Sequence, residues 1–124
     1  MKHLLKEEMP ELNPTEKDGF WYQDLMVLNK HGLHARPSAQ IYEKILMPYG
    51  DDLEMNFHIE GRGEISIKSV FDLMSLGLEA GTKLTVQLRY HGDGSLFDDA
   101  QAPAAAILKD IYDLFLNSFS DLED

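Results

Sequence analysis

The sequence predicts a two-layer α+β domain, and three observations carry that expectation. Four runs alternate apolar with polar residues, and three others repeat apolar residues at helical spacing. Their order is strand, helix, strand, strand, helix, strand, helix. Each strand run has one strongly apolar face, so the sheet needs helices packed on it. The chain has 124 residues, enough for one domain with a real core and too few for two of ordinary size.

The elements follow in order. Residues 1–20 read as an N-terminal extension, with Pro10, Pro14, frequent charges and no clear period; a short helix over 2–9 is the one element they suggest. The domain is expected over 21–118, starting near Trp21, with 119–124 as an acidic tail. Strand one fits YQDLMVLN, with Leu25 and Val27 on one face and Met26 and Leu28 on the other. Gly32 suggests a turn, and Pro37 suits the first turn of a helix, where its missing N–H costs nothing. Ala35, Ala39, Tyr42, Ile45 and Leu46 then predict a helix over about 36–47, ending before Pro48 and Gly50.

Strand two fits DLEMNFHI, where Leu53, Met55, Phe57 and Ile59 alternate with Glu54, Asn56 and His58. Gly61-Arg62-Gly63 marks a turn into a short third strand with Ile65 and Ile67 facing inward. Ser69 is a good N-cap, with Asp72 three residues on as a relative of the capping box, and Gly77 is a stop. Strand four fits TKLTVQLRY, and a loop HGDGSLFDD follows. The last helix is expected over about 100–118, capped by Asp98 or Asp99, with Ala104, Ile107, Leu108, Ile111, Leu114 and Phe115 as its core stripe.

Composition excludes several functions. Hydrophobic residues make up 44% and charged residues 27%, as in ordinary globular domains. A net charge of -11 repels nucleic acid and anionic membranes, so neither is an expected partner. The absence of cysteine removes disulfides, a thiol nucleophile and thiolate metal sites. His58 and Glu60 make a weak metal pair at best, so neither a metal nor a cofactor is predicted. Leu4 and Leu5 form no apolar core of signal-peptide length, Glu7, Glu8 and Glu11 follow at once, and no run approaches a membrane span; the cytoplasm is the expected compartment.

His3, His58 and His91 read as surface residues, but His34 has informative neighbours. It lies between a glycine-containing turn and a proline-started helix. First-turn N–H groups lack intrahelical acceptors, and the helix dipole favours an anion there. Arg36 adds a charge-assisted donor fork, and a neutral imidazole is a competent nucleophile. On the residues alone, His34 is either a nucleophile for phosphoryl groups or a surface histidine near a helix start.

The segment NKHGLHARPSA, residues 29–39, resembles the active-site signature of the HPr family, the histidine-containing phosphocarriers of the phosphoenolpyruvate-dependent phosphotransferase system. The segment IKSVFDLMSLGLEAGTKL, residues 67–84, resembles the family's second signature, and the likeness spans roughly 21–117. The resemblance implies an open-faced sandwich, βαββαβα, with a four-stranded antiparallel sheet in the order 1-4-2-3. It implies that enzyme I phosphorylates His34 on Nδ1, that Arg36 assists, and that the group passes to an enzyme IIA domain. It places Ser69 at the regulatory serine, with an HPr kinase/phosphorylase as a conditional further partner, and it implies a monomer that carries phosphate rather than a conventional enzyme.

The same resemblance puts Ala35, Ala39, Lys68, Val70, Phe71 and Met74 on the partner surface. Glu43 and Asp72 stand where many carriers have lysine, a departure that argues against docking on a standard sugar-system enzyme I and for a regulatory phosphorelay instead. The alternative is a regulatory binding protein acting through the Ser69–Met74 surface under phosphorylation control; retention of His34 favours transfer.

Overall fold

In a computed structural model, which describes residues 6–98 and 102–120, five antiparallel strands form one sheet in the order β1-β2-β5-β3-β4. The strands are β1 (Thr15–Lys17), β2 (Phe20–Met26), β3 (Leu53–Ile59), β4 (Gly63–Ser66) and β5 (Lys83–Tyr90). The other four keep the expected order, but the expected count of four is corrected to five by β1, drawn from the N-terminal extension. A two-residue turn makes that strand: Asp18 and Gly19 take φ of 56° and 87°, and Lys17 pairs with Phe20. Positive φ at both central residues matches the right-handed twist of a hairpin.

One face of the sheet is the core. Leu25, Met55, Phe57, Ile59, Leu84, Val86 and Leu88 are buried, and the register sets Met55 opposite Leu88 and Phe57 opposite Val86. The helices supply the other layer. Helix α1 (Ala35–Ile41) runs through a π-helical turn (Tyr42–Leu46) into α2 (Met47–Tyr49); α3 (Val70–Ser75) and α4 (Pro103–Leu116) follow. Leu73 of α3 and Ile107, Leu108, Ile111 and Phe115 of α4 are almost fully buried. The opposite face is polar and internally bonded: Gln87 accepts from Asn56 Nδ2 at 3.3 Å and donates to Tyr22 Oη at 3.1 Å.

The packing extends past both expected boundaries. Met9 is buried, Tyr112 donates to the Pro10 carbonyl at 2.6 Å, and Gln23 Nε2 donates to the Glu11 carbonyl at 2.9 Å. Gln23 itself sits on the core face of β2, where its amide needs these partners to be tolerated. At the other end Phe119 is 1% exposed and packs against Phe115 with ring centroids 5.0 Å apart and the planes tilted by 59°. Phe119 is therefore a core residue rather than the start of a solvated tail.

Three helix limits also differ. The first helix passes through Pro48 instead of stopping before it. Met47 N–H donates to the Tyr42 carbonyl five residues back, so the turn before the proline is widened. That widening relieves the clash a proline ring otherwise makes with the carbonyl four residues earlier. The last helix begins at Pro103 with Ala102 at the N-cap and no side-chain cap, so Asp98 does not cap it; Asp99 lies outside the described residues. The expected short helix over 2–9 is a 3-10 turn at Lys6–Glu8, its earlier part lying outside the described residues.

Candidate functional site

The turn between β2 and α1 is built around Gly32. Its φ is +71°, and a Cβ there would lie 2.1 Å from the Leu78 carbonyl oxygen. Gly32 N–H donates to Asn29 O at 3.1 Å, and buried Asn29 returns a side-chain bond from Nδ2 to Gly32 O. Leu33 N–H then donates to Leu78 O at 2.9 Å, which ties the turn to the loop after α3. Ser38 Oγ, fully buried, donates to the Leu33 carbonyl at 3.3 Å. The backbone on both sides of His34 is thus fixed by groups that are themselves buried.

His34 is the N-cap of α1, with φ -82° and ψ -164°. Its carbonyl accepts from Ser38 N–H at 3.1 Å, the first intrahelical bond. The preceding first-turn residues are Ala35, Arg36 and Pro37, and an N–H at Ala35 or Arg36 has no intrahelical acceptor. The His34 side chain is half-buried, and its Nε2 atom is enclosed by protein. Arg36 and Ala35 are exposed; Ala39 is half-buried.

The second expected site lies at the start of α3. Ser69 is its N-cap, with the full reciprocal box: Asp72 N–H donates to Ser69 Oγ at 3.1 Å, and Ser69 N–H donates to Asp72 Oδ2 at 3.1 Å. Lys68 N–H also donates to Asp72 Oδ2, at 2.8 Å. Ser69→Ala is expected to lower stability by about 1 kcal/mol, the usual cost of an N-cap, read as a shift in the denaturation midpoint. An unchanged midpoint would show that Asp72 alone holds this helix start.

Helices α1 and α3 pack against each other. Leu73 points into the core, while Phe71 is 77% exposed and Met74 is 45% exposed. Val70 is half-buried and Lys68 exposed. Phe71 is therefore a surface residue. Met47, at the end of the first helical run, is 58% exposed. One neighbour of His34 escaped sequence reasoning: His31, exposed, places its ring 6.0 Å from that of His34 at an interplanar angle of 76°. The signal was a second histidine three residues earlier, across a turn glycine.

Among the described residues, no three His, Cys, Asp or Glu side chains come together to hold a metal ion, and no helix is long and apolar enough to cross a membrane.

A family model described as "PTS HPr component phosphorylation site" matches residues 22–109. No curated protein matches the chain. Among solved structures, HPr-C-His from Thermoanaerobacter tengcongensis is similar, with 25% sequence identity and a TM-score of 0.53. The likeness covers 81% of this chain and 96% of that one.

Proposed function

The chain belongs to the HPr family of the phosphotransferase system, whose members carry phosphoryl groups, and we propose that its own carrier residue is His34. The observation that carries this reading is the placement of His34 as the helix N-cap inside the matched segment, on a turn held by buried groups. Enzyme I is the proposed donor and an enzyme IIA domain the proposed acceptor. The Nδ1 lone pair attacks phosphorus in line, and the donor's bond to phosphorus breaks. Enclosure of Nε2 supports Nδ1 as the attacking nitrogen. Backbone N–H groups of the first turn and the Arg36 guanidinium offset the charge on the phosphoryl oxygens. The experiment is incubation with phosphoenolpyruvate and enzyme I, followed by mapping of acid-labile phosphate; label on His34 supports the proposal, and label confined to another residue refutes it.

Arg36 acts on the phosphoryl oxygens and carries little of the fold, being exposed. Arg36→Ala is expected to slow phosphoryl acceptance about tenfold at limiting enzyme I, the scale of one charge-assisted hydrogen bond. Arg36→Lys restores the charge without the planar fork and recovers part of the rate. Equal rates for all three proteins would remove Arg36 from the site.

The exposed Phe71 and Met74, with Val70, Lys68, Ala35 and Ala39, form the proposed partner surface. Methionine and an exposed aromatic ring adapt to more than one partner. Ser69 borders that surface and is the proposed regulatory site for an HPr kinase/phosphorylase. Phosphorylation would add about 1.5 to 2 negative charges at the positive end of α3, beside the Asp72 carboxylate. Those local effects oppose each other, so stability is expected to change by no more than about 1 kcal/mol. Enzyme I binding is expected to weaken, because docking must dehydrate the new charge next to Phe71. Calorimetric binding paired with a thermal melt checks both halves: unchanged affinity of the phosphorylated protein would remove the regulatory role.

A further inference from the structure

The two peptide groups that precede His34 are pinned at both ends. In the first, between Gly32 and Leu33, the carbonyl oxygen accepts from Asn29 Nδ2 and from His34 N–H, and Leu33 N–H donates to Leu78 O at 2.9 Å. In the second, between Leu33 and His34, the carbonyl oxygen accepts from Ser38 Oγ at 3.3 Å, and His34 N–H donates to Gly32 O at 3.0 Å. The acceptors at the two N–H ends are backbone atoms. The carbonyl ends are held by side chains, Asn29 from the strand side of the turn and Ser38 from the helix side, and both are almost fully buried.

Both side chains are polar in places where packing alone favours apolar groups. Burial of an amide or a hydroxyl costs free energy unless hydrogen bonds offset it. Asn29 offsets that cost in part: Nδ2 bonds Gly32 O, while Oδ1 is enclosed with no hydrogen-bond partner among the described residues. Two buried polar groups thus converge on the two carbonyls immediately before His34.

We propose that Asn29 and Ser38 are positioning residues for phosphoryl transfer, holding the Gly32 and Leu33 carbonyls turned into the protein and away from a phosphoryl group that reaches His34 from solvent. The proposal rests on the reading of His34 as the carrier. Neither residue takes part in a bond that forms or breaks: the new bond joins His34 nitrogen to phosphorus, and the donor departs with the electrons of the bond it loses. Their effect is electrostatic and runs through the backbone. A carbonyl oxygen released to face outward would repel the phosphoryl oxygens, on which charge accumulates during transfer. Being buried, neither side chain is available to dock on the donor protein, so their loss changes the transfer step and spares docking.

The test mixes enzyme I already charged with labelled phosphate with excess full-length chain and follows a single turnover against chain concentration. The plateau rate reports transfer, and the half-saturating concentration reports docking. Ser38→Ala and Asn29→Ala are each expected to lower the plateau about tenfold, the scale of one hydrogen bond, with half-saturation unchanged. Ser38→Thr keeps the hydroxyl and should keep most of the rate. A merely structural role reads differently: a misfolded fraction dilutes the competent chain, which raises the apparent half-saturation and leaves the plateau. Thermal melts identify the variants that fold. An unchanged plateau in folded Ser38→Ala, or an equal loss in Ser38→Thr, would overturn the proposal whether or not Asn29→Ala folds, and would leave the carrier reading intact. Failure of the wild type to take label on His34 would overturn both.

Discussion

His34→Ala is expected to abolish phosphoryl acceptance from enzyme I while leaving the thermal midpoint close to that of the wild type. On the proposed reading the loss is complete because the attacking lone pair is that of His34, while Arg36 and the helix N-terminus would only offset charge. The fold is spared for a separate reason. His34 contributes its backbone to the helix start, and Ser38 N–H to His34 O is a backbone bond that alanine retains. The N-cap has no side-chain capping bond to lose. A stability change of about 1 kcal/mol or less follows, read by denaturant titration beside the transfer assay. Residual stoichiometric labelling of His34→Ala would assign the chemistry to another residue.

Gly32→Ala is expected to be the more damaging change to the molecule as a whole. A methyl group at Gly32 would sit 2.1 Å from the Leu78 carbonyl oxygen, which is backbone and cannot rotate away. The φ of +71° adds the left-handed cost to any side chain. Relief requires the 78–79 loop to retreat, and the bond from Leu33 N–H to Leu78 O stretches with it. A loss of about 3 kcal/mol or more is expected, together with slowed phosphoryl transfer because the turn carrying His34 moves. Gly61→Ala is the matched control: its φ is +84°, but a Cβ there meets nothing within 4 Å. It should cost about 1 kcal/mol and leave transfer intact. Equal effects for the two glycines would mean that the close approach at Leu78 is not a constraint.

The parts of the fold legible in the sequence are those where one physical signal dominates. DLEMNFHI alternates without interruption because β3 pairs on both sides and has one core face, and its observed span is Leu53–Ile59. Ser69 and Asp72 were readable as a capping pair because the motif is local and its geometry needs no tertiary partner. Other features depend on contacts distant in sequence. The N-terminal segment looks unstructured because Thr15–Lys17 is short and polar, yet Asp18-Gly19 is a strong hairpin turn and Gln23 anchors the strap from the core face. Met9 and Phe119 are single apolar residues among polar ones, and their burial follows from where β2 and α4 bring them. Pro48 misled because a proline ordinarily ends a helix, whereas a π-helical turn carries the chain through it.

At the candidate site, the turn glycine, the helix proline and a resemblance to a known signature single out His34 and Arg36 in the sequence. The spatial details are not legible there. Sequence order cannot say that Nε2 is enclosed, that Phe71 stands in solvent while Leu73 beside it is core, or that the His31 and His34 rings lie 6.0 Å apart. Each depends on the angle at which α1 and α3 pack on the sheet.

The central claim is that the phosphoryl group rides on Nδ1 of His34. Phosphorus–nitrogen coupling in protein labelled with nitrogen-15 at histidine, charged by phosphoenolpyruvate and enzyme I, tests it most directly. The account predicts one phosphoramidate signal coupled to His34 Nδ1 and absent from His34→Ala. A signal coupled to Nε2, or one that persists in His34→Ala, would contradict it.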